Sequence, residues 1–247
     1  MRALEDLSLE VHAGELFGFL GPNGAGKTTA LRLFAGLLTP TSGEAFIGGH
    51  SMTREPLEAK ESVGFVPDTP FLYEKLTGRE FLAFMAGLFG VPKEEAAGRA
   101  AALLRLLELE AVADRLMETY SHGMRQKAAL AGALVHDPPV VLLDEPTVGL
   151  DPRSARTIQD LLRALAAQGK TVFLSTHLLE VAEKLCDRVG ILHQGRLLVI
   201  GTLAEIREQA RSQASLEEIF LALTGGASDE SLRAFLDQLR PGFDMAQ

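Results

Sequence analysis

Apolar residues along this chain follow two rhythms. Short, nearly unbroken apolar runs occur at Glu15–Leu20, Ser62–Pro67, Val140–Leu143 and Thr171–Leu174. Runs of this length read as strands, and Val140–Leu143 as one buried on both faces. Residues 4–11 alternate loosely through Leu4, Leu7, Leu9 and Val11, which predicts a strand before the turn His12-Ala13-Gly14. Glu44–Gly48 predicts a further short strand. Asp187–His193 and Arg196–Ile200 flank Gln194-Gly195 and predict a hairpin.

Helical spacing fills the rest. A helix is predicted over Lys27–Leu37. From about residue 70 to 135 the character is helical throughout. Thr77-Gly78-Arg79-Glu80 forms a capping box, with Phe81, Phe84, Met85, Leu88 and Phe89 on one face. Lys93–Leu109 and Ser121–Val135 follow. Asp151-Pro152 is an N-cap with Pro at the first helical position, continued by Ile158, Leu161, Leu162 and Leu165. Further helices are predicted at His177–Leu185, 202–209 and 215–223. Gly225-Gly226 ends that pattern, and Leu232, Phe235, Leu236 and Leu239 mark one more helix in the tail.

Composition narrows the function classes. A net charge of −9 over 247 residues, with no basic block, argues against nucleic acid as the main partner. The single cysteine, Cys186, excludes an internal disulfide or a cysteine-built metal site, and its apolar surroundings read as core packing. No apolar run approaches the roughly 18 residues that span a bilayer, and no secretory signal is evident. The chain therefore reads as cytoplasmic, reaching a membrane only through a partner.

The stretch Gly21-Pro22-Asn23-Gly24-Ala25-Gly26-Lys27-Thr28 fits G-x-x-x-x-G-K-[ST] between a predicted strand and a predicted helix. Its glycines bring backbone N–H groups close to phosphate oxygens, and the helix N-terminus adds a positive dipole end. Lys27 then reaches the β- and γ-phosphates, the Thr28 hydroxyl holds Mg²⁺, and Thr29 bonds the α-phosphate. Val140–Leu143 runs into Asp144-Glu145. An acid at the end of a buried strand beside a phosphate loop can hold Mg²⁺, directly or through water, and its neighbour can polarise an attacking water. His177 follows another buried strand and can bond the γ-phosphate and steady Glu145. Ser121, at a helix start, offers a second anion site with no ligand in the same molecule.

With these residues in place, the chain resembles the ATP-binding subunit of ABC transporters over about residues 3–224. Residues 21–28 look like its Walker A, Leu142–Glu145 like its Walker B and catalytic glutamate, and Val148-Gly149-Leu150-Asp151 like its D-loop. His177 looks like its switch histidine, and Tyr120-Ser121-His122-Gly123-Met124-Arg125-Gln126 like its signature. The Tyr-Ser-x-Gly-Met-Arg-Gln form, Gly149-Leu150-Asp151-Pro152 and Ser215–Phe220 are most similar to bacterial ATPases paired with ABC-2-type permeases, mostly exporters.

The resemblance implies an α/β fold of the P-loop NTPase type. It consists of a mostly parallel sheet flanked by helices, with an antiparallel β part and an inserted helical subdomain. It divides the chain into an ATP-binding core (1–69 and 136–210), a helical subdomain carrying the signature (70–135) and a C-terminal extension (211–247). It implies ATP and Mg²⁺, with Thr28, Asp144 and Asp68 at the metal. Glu145 is the implied general base, His177 the γ-phosphate clamp and Lys27 a stabiliser of charge. Ser121 and Gly123 complete the site of a second ATPase subunit, identical or related. The implied partner is an integral membrane permease on a separate chain, at the inner face of the cell membrane; Phe71, Leu72 and Tyr73, apolar residues of a predicted surface segment, are candidates for that contact or for ordinary packing.

Three positions depart from that pattern. Asp68 stands where the family usually has Gln, and reads either as reaching the ion through water or as a non-liganding loop residue; His122 replaces the first Gly of Ser-Gly-Gly. The family's adenine-stacking aromatic falls upstream of Met1, which implies weaker ATP binding and poor base discrimination. These departures motivate an alternative, a regulatory nucleotide-binding module that hydrolyses little. A soluble ATPase of DNA repair or translation is a third reading, disfavoured by the acidic charge and the lack of long coiled coils.

Overall fold

The structure, a computed structural model, describes residues 2–209 and 215–225. In chain order its elements begin with strand β1 (Leu16–Leu20), helix α1 (Lys27–Phe34), strands β2 (Phe46–Ile47) and β3 (His50–Ser51), helix α2 (Pro56–Glu61) and strand β4 (Val63–Val66). Three longer helices follow: α3 (Gly78–Leu88), α4 (Lys93–Leu106) and α5 (His122–Leu134). Then come β5 (Val140–Asp144), α6 (Pro152–Ala167), β6 (Thr171–Thr176), α7 (Leu179–Leu185), β7 (Arg188–His193), β8 (Arg196–Gly201), α8 (Leu203–Gln209) and α9 (Leu216–Thr224).

The main sheet has the order β4-β5-β6-β1-β7-β8. All its pairings are parallel except β7 with β8, which form the expected hairpin. Successive residues of the central strands point to opposite faces, as strand geometry requires. Val141, Leu143, Val172 and Leu174 enter one apolar cluster, whereas Leu142, Phe173, Phe17 and Phe19 enter the other. Phe173 anchors the second face, with ring centroids 5.3 Å from Phe17 and 5.4 Å from both Phe19 and Phe34. The buried rings of Phe17, Phe19 and Phe173 each contribute about 1.5–3 kcal/mol. The register sets Asp144 beside Ser175 and Leu20 beside Thr176, so three strands end level at one edge.

Several local expectations are corrected. Residues 4–11 form no strand: their apolar side chains lie partly buried against the second cluster, but no described strand pairs with them. The expected strand at Glu44–Gly48 shrinks to Phe46–Ile47, because Gly48 and Gly49 turn with φ of 58° and 85° into β3. Helix α1 stops at Phe34 rather than Leu37, with Gly36 at φ 64°. Helix α4 stops at Leu106, before Glu108 at φ 58°. Helix α7 starts at Leu179 and leaves His177 outside it. Helix α2, opened by Pro56 at its first position, was not foreseen. The capping box expected at α3 forms, α9 carries a second one that was not foreseen, and Asp151 caps α6 by accepting from Arg153 and Ser154 N–H. The tail helix around Leu232–Leu239 lies outside the described residues. Among the described residues, no helix is long and apolar enough to cross a membrane.

Candidate nucleotide site

The loop after β1 and the end of β5 border a cavity of about 600 Å³, within the range of small-ligand sites. The loop after β1 forms its floor. Gly21 lies so close to the Leu192 carbonyl that a Cβ would collide with it. Gly24 and Gly26 take φ of 80° and 112°, the left-handed region that only glycine enters without strain. The loop delivers the first turn of α1, Lys27, Thr28 and Thr29, to the cavity. N–H groups at a helix start lack intrahelical partners.

Lys27 is buried, and its Nζ donates to the Gly21 carbonyl at 2.7 Å and the Pro22 carbonyl at 3.3 Å. Burial pushes its ammonium below the ordinary lysine pKa, while the neighbouring Glu145 and Asp144 carboxylates oppose that shift. The ammonium lies 3.8 Å from Glu145 Oε1. The site thus holds a desolvated cation that a polyanion would compensate.

Asp144 ends β5, almost wholly buried. Its Oδ1 accepts from the Ser175 hydroxyl, and its Oδ2 is buried without a hydrogen-bond partner. Glu145 follows at φ 50°, a left-handed conformation that a non-glycine residue adopts only when its surroundings impose it. Its N–H donates to the Ser175 carbonyl at 3.0 Å. Glu145 Oε2 accepts from the Thr176 hydroxyl at 3.1 Å, and Oε1 accepts from His177 Nδ1–H at 2.9 Å. Thr176 in turn accepts from the Leu178 N–H at 3.0 Å, which ties the end of β6 to the start of α7.

Asp68 also lines the cavity. It is exposed, and its Oδ1 accepts from Thr69 N–H at 2.8 Å. Mg²⁺ fits this donor set: Asp144 Oδ2 is an orphaned carboxylate oxygen, and the Thr28 hydroxyl and the Asp68 carboxylate are hard oxygen donors. The loop residues from Pro22 to Thr29 therefore share one cavity with Asp68, Asp144 and Glu145, and His177 joins through its bond to Glu145.

Ser121 and Gly123 do not line this cavity. Ser121 caps α5, its hydroxyl accepting from Met124 N–H at 3.4 Å. The His122 ring packs beside Gly149, and Gly123 lies against Leu150. The sequence reading missed Ser175 and Thr176 as partners of the two acids. Their signal was a pair of hydroxyl residues at the end of a buried strand. It also missed Arg2, Ala3, Gln194 and Gly195 as cavity walls, and no local pattern announces those.

A family model described as ABC transporter matches residues 4–148. The daunorubicin/doxorubicin resistance ATP-binding protein DrrA of Streptomyces peucetius is 38% identical over 258 residues, covering 98% of this chain and 78% of that protein. A solved ATP-binding subunit of an ABC transporter superposes with a TM-score of 0.86 at 36% identity, covering 90% of this chain and 92% of that one. A dimeric ATP-binding cassette in a post-hydrolysis state, bound to ADP and Pi, superposes with a TM-score of 0.74 at 31% identity, covering 81% and 90%. The chain spans 61% of the length of one curated relative that it matches at 44% identity and 9% of another.

Proposed function

The chain belongs to the ABC transporter family, and from that membership and the site's geometry we propose that it binds and hydrolyses ATP to drive a separate membrane permease, in the export direction. The observation that carries the reading is Glu145, fixed by Thr176 and His177 and 3.8 Å from the Lys27 ammonium.

In this reading the loop N–H groups and Lys27 hold the triphosphate, and Thr29 bonds the α-phosphate. Thr28, Asp144 and Asp68 would hold Mg²⁺, which would supply neutralisation of the phosphate charge. Glu145 accepts a proton from water as the water oxygen bonds to the γ-phosphorus. The bond from that phosphorus to the bridging oxygen breaks, giving ADP and phosphate. Lys27 stabilises the charge that moves onto the leaving oxygen. His177 fixes the Glu145 carboxylate through Nδ1 and turns its second nitrogen to the γ-phosphate. Hydroxyl partners at both acids reduce their freedom before substrate arrives, which lowers the cost of ordering the site.

Ser121 and Gly123, outside the cavity of their own chain, complete the ATP site of a second ATPase subunit, identical or related. The solved dimeric ATP-binding cassette, bound to ADP and Pi, supports this arrangement. Residues 1–69 and 136–210 then act as the ATP-binding core, 70–135 as the signature-bearing helical part and 211–247 as an extension. A groove of about 410 Å³ lined by Phe65, Phe71, Leu72, Tyr73, Met85 and Phe89 is the proposed seat of a permease segment. Phe71 is 92% exposed there, as an apolar side chain awaiting a cover would be. The subunit then sits on the inner face of the cell membrane. Phosphate release from Mg-ATP by the purified chain tests the reading. Steady release supports it. ATP binding without release favours a regulatory module instead.

A further inference from the structure

In the reading above Ser121 and Gly123 act on the ATP of a second subunit, so no ligand of their own chain holds them in place. The entrance to α3 does. The stretch from Glu74 to Arg79 is zipped along the stretch that leads into Ser121. Glu118 N–H donates to the Glu74 carbonyl at 3.1 Å, Met117 N–H to the Leu76 carbonyl at 2.9 Å and Arg79 N–H to the Ala113 carbonyl at 3.0 Å. Thr77 and Leu116 add an antiparallel bridge between the same two stretches.

Two side chains flanking Ser121 reach back to this zipped pair. Tyr120, directly before it, is 5% exposed and packs in the cluster of Val141 and Leu143. Its hydroxyl donates to the Val112 carbonyl at 2.9 Å. Gly78 leaves room for that hydroxyl, since a Cβ there would come within 2.5 Å of its oxygen. Arg125, in the first turn of α5, donates from Nη2 to Glu74 Oε1 at 2.9 Å. Ser121 lies between these anchors in extended conformation, with φ −63° and ψ 165°, and caps the helix. The direction it presents outward follows from where Tyr120 and the first turn of α5 are held. Phenylalanine would fill the space of Tyr120 and lose only its bond, and a half-exposed ion pair such as Arg125 with Glu74 adds little to stability. Both contacts therefore fix direction more than they hold the fold.

Resting on the composite-site reading above, we propose that Tyr120 and Arg125, the latter through Glu74, are positioning residues that aim Ser121 and Gly123 at the nucleotide of the second subunit. None of the three lines the cavity of its own chain. Their effect consequently falls on ATP-driven association and not on the subunit's own capture of ATP.

The test measures, in a Glu145→Gln background, the protein concentration at which Mg-ATP produces dimers, alongside Mg-ATP binding to the dilute monomer. Tyr120→Phe is expected to raise that concentration by about 3- to 10-fold. Arg125→Gln is expected to raise it by about 2- to 5-fold, with monomer binding unchanged in both variants. Glu74→Gln is expected to match Arg125→Gln, and the two together to do no more than either alone, because they remove one pair. Arg125→Lys is expected to recover part of the loss. Unchanged dimerisation in Tyr120→Phe or in Arg125→Gln overturns the role of that residue. A loss in Arg125→Gln that Glu74→Gln does not reproduce would put Arg125 on the nucleotide itself and overturn its positioning role. An equal loss of monomer ATP binding would reduce the contacts to general structural support and overturn the inference. If the background chain binds Mg-ATP but forms no dimer, the composite-site reading itself falls, and this inference with it.

Discussion

His177 Nδ1 lies 2.9 Å from Glu145 Oε1, although the two residues are 32 positions apart on adjoining strand ends. The contact exists because β5 and β6 run parallel in register, with Asp144 opposite Ser175. It gives the carboxylate one fixed oxygen and leaves the ring's other nitrogen as a second polar group. His177→Ala is expected to lower kcat by about 10²-fold with little change in ATP affinity, because the loss falls on orientation of the base rather than on binding. Steady-state kinetics check this. A variant that loses affinity but keeps kcat would move His177 out of the reacting centre.

Gly21 is fixed by close approach rather than by φ. Gly21→Ala would set a methyl against the Leu192 carbonyl and 3.0 Å from the Ala25 Cβ. Neither neighbour can move without shifting β7 or the loop. A cost of about 1–3 kcal/mol is expected in chemical denaturation, together with weaker ATP binding. Wild-type stability and affinity in this variant would mean that the loop and β7 are farther apart than described.

Cys186 is expected to be inert. Its thiol packs against Gly18, where a Cβ would come within 2.8 Å of Sγ, and burial pushes its pKa up to about 12. The reactive thiolate is therefore scarce at any physiological pH. Iodoacetamide at pH 8 is expected to leave the native mass unchanged and to add one group after denaturation. Rapid modification of the native protein would contradict this packing.

Much of the site was legible because its residues sit at the ends of apolar runs. Lys27 and Thr28 follow β1, Asp144 and Glu145 follow β5, and His177 follows β6. A run of that kind announces its strand locally, and parallel strands align their ends without further instruction. Partners across strands were not legible. Nothing near Asp144 in sequence points to Ser175, and nothing near Glu145 points to Thr176. Residues 4–11 misled for a related reason: alternation through Leu4, Leu7, Leu9 and Val11 reports a buried face but not a pairing neighbour. Arg2 and Gln194 share the cavity only because the β7–β8 turn and the N-terminal segment are bonded to each other and the turn to the loop.

Ser121 and Gly123 lie off the cavity of their own chain, and in the proposed arrangement a second subunit's copies complete the site. In Glu145→Gln, Mg-ATP is expected to shift the solution mass from one copy to two, since ATP trapped between subunits bridges them. Ser121→Arg in the same background is expected to abolish the shift while leaving ATP binding intact. Dimerisation that survives Ser121→Arg would assign the interface elsewhere.

The reading stands or falls on Glu145 as the base of an ATP-hydrolysing site. The most direct measurement compares ATP binding and phosphate release in the wild-type chain and in Glu145→Gln. Both are expected to bind Mg-ATP with similar affinity, with release in the variant lower by about 10²- to 10⁴-fold. Equal release from both chains would contradict the assignment of Glu145, and binding without release in the wild type would contradict hydrolysis itself.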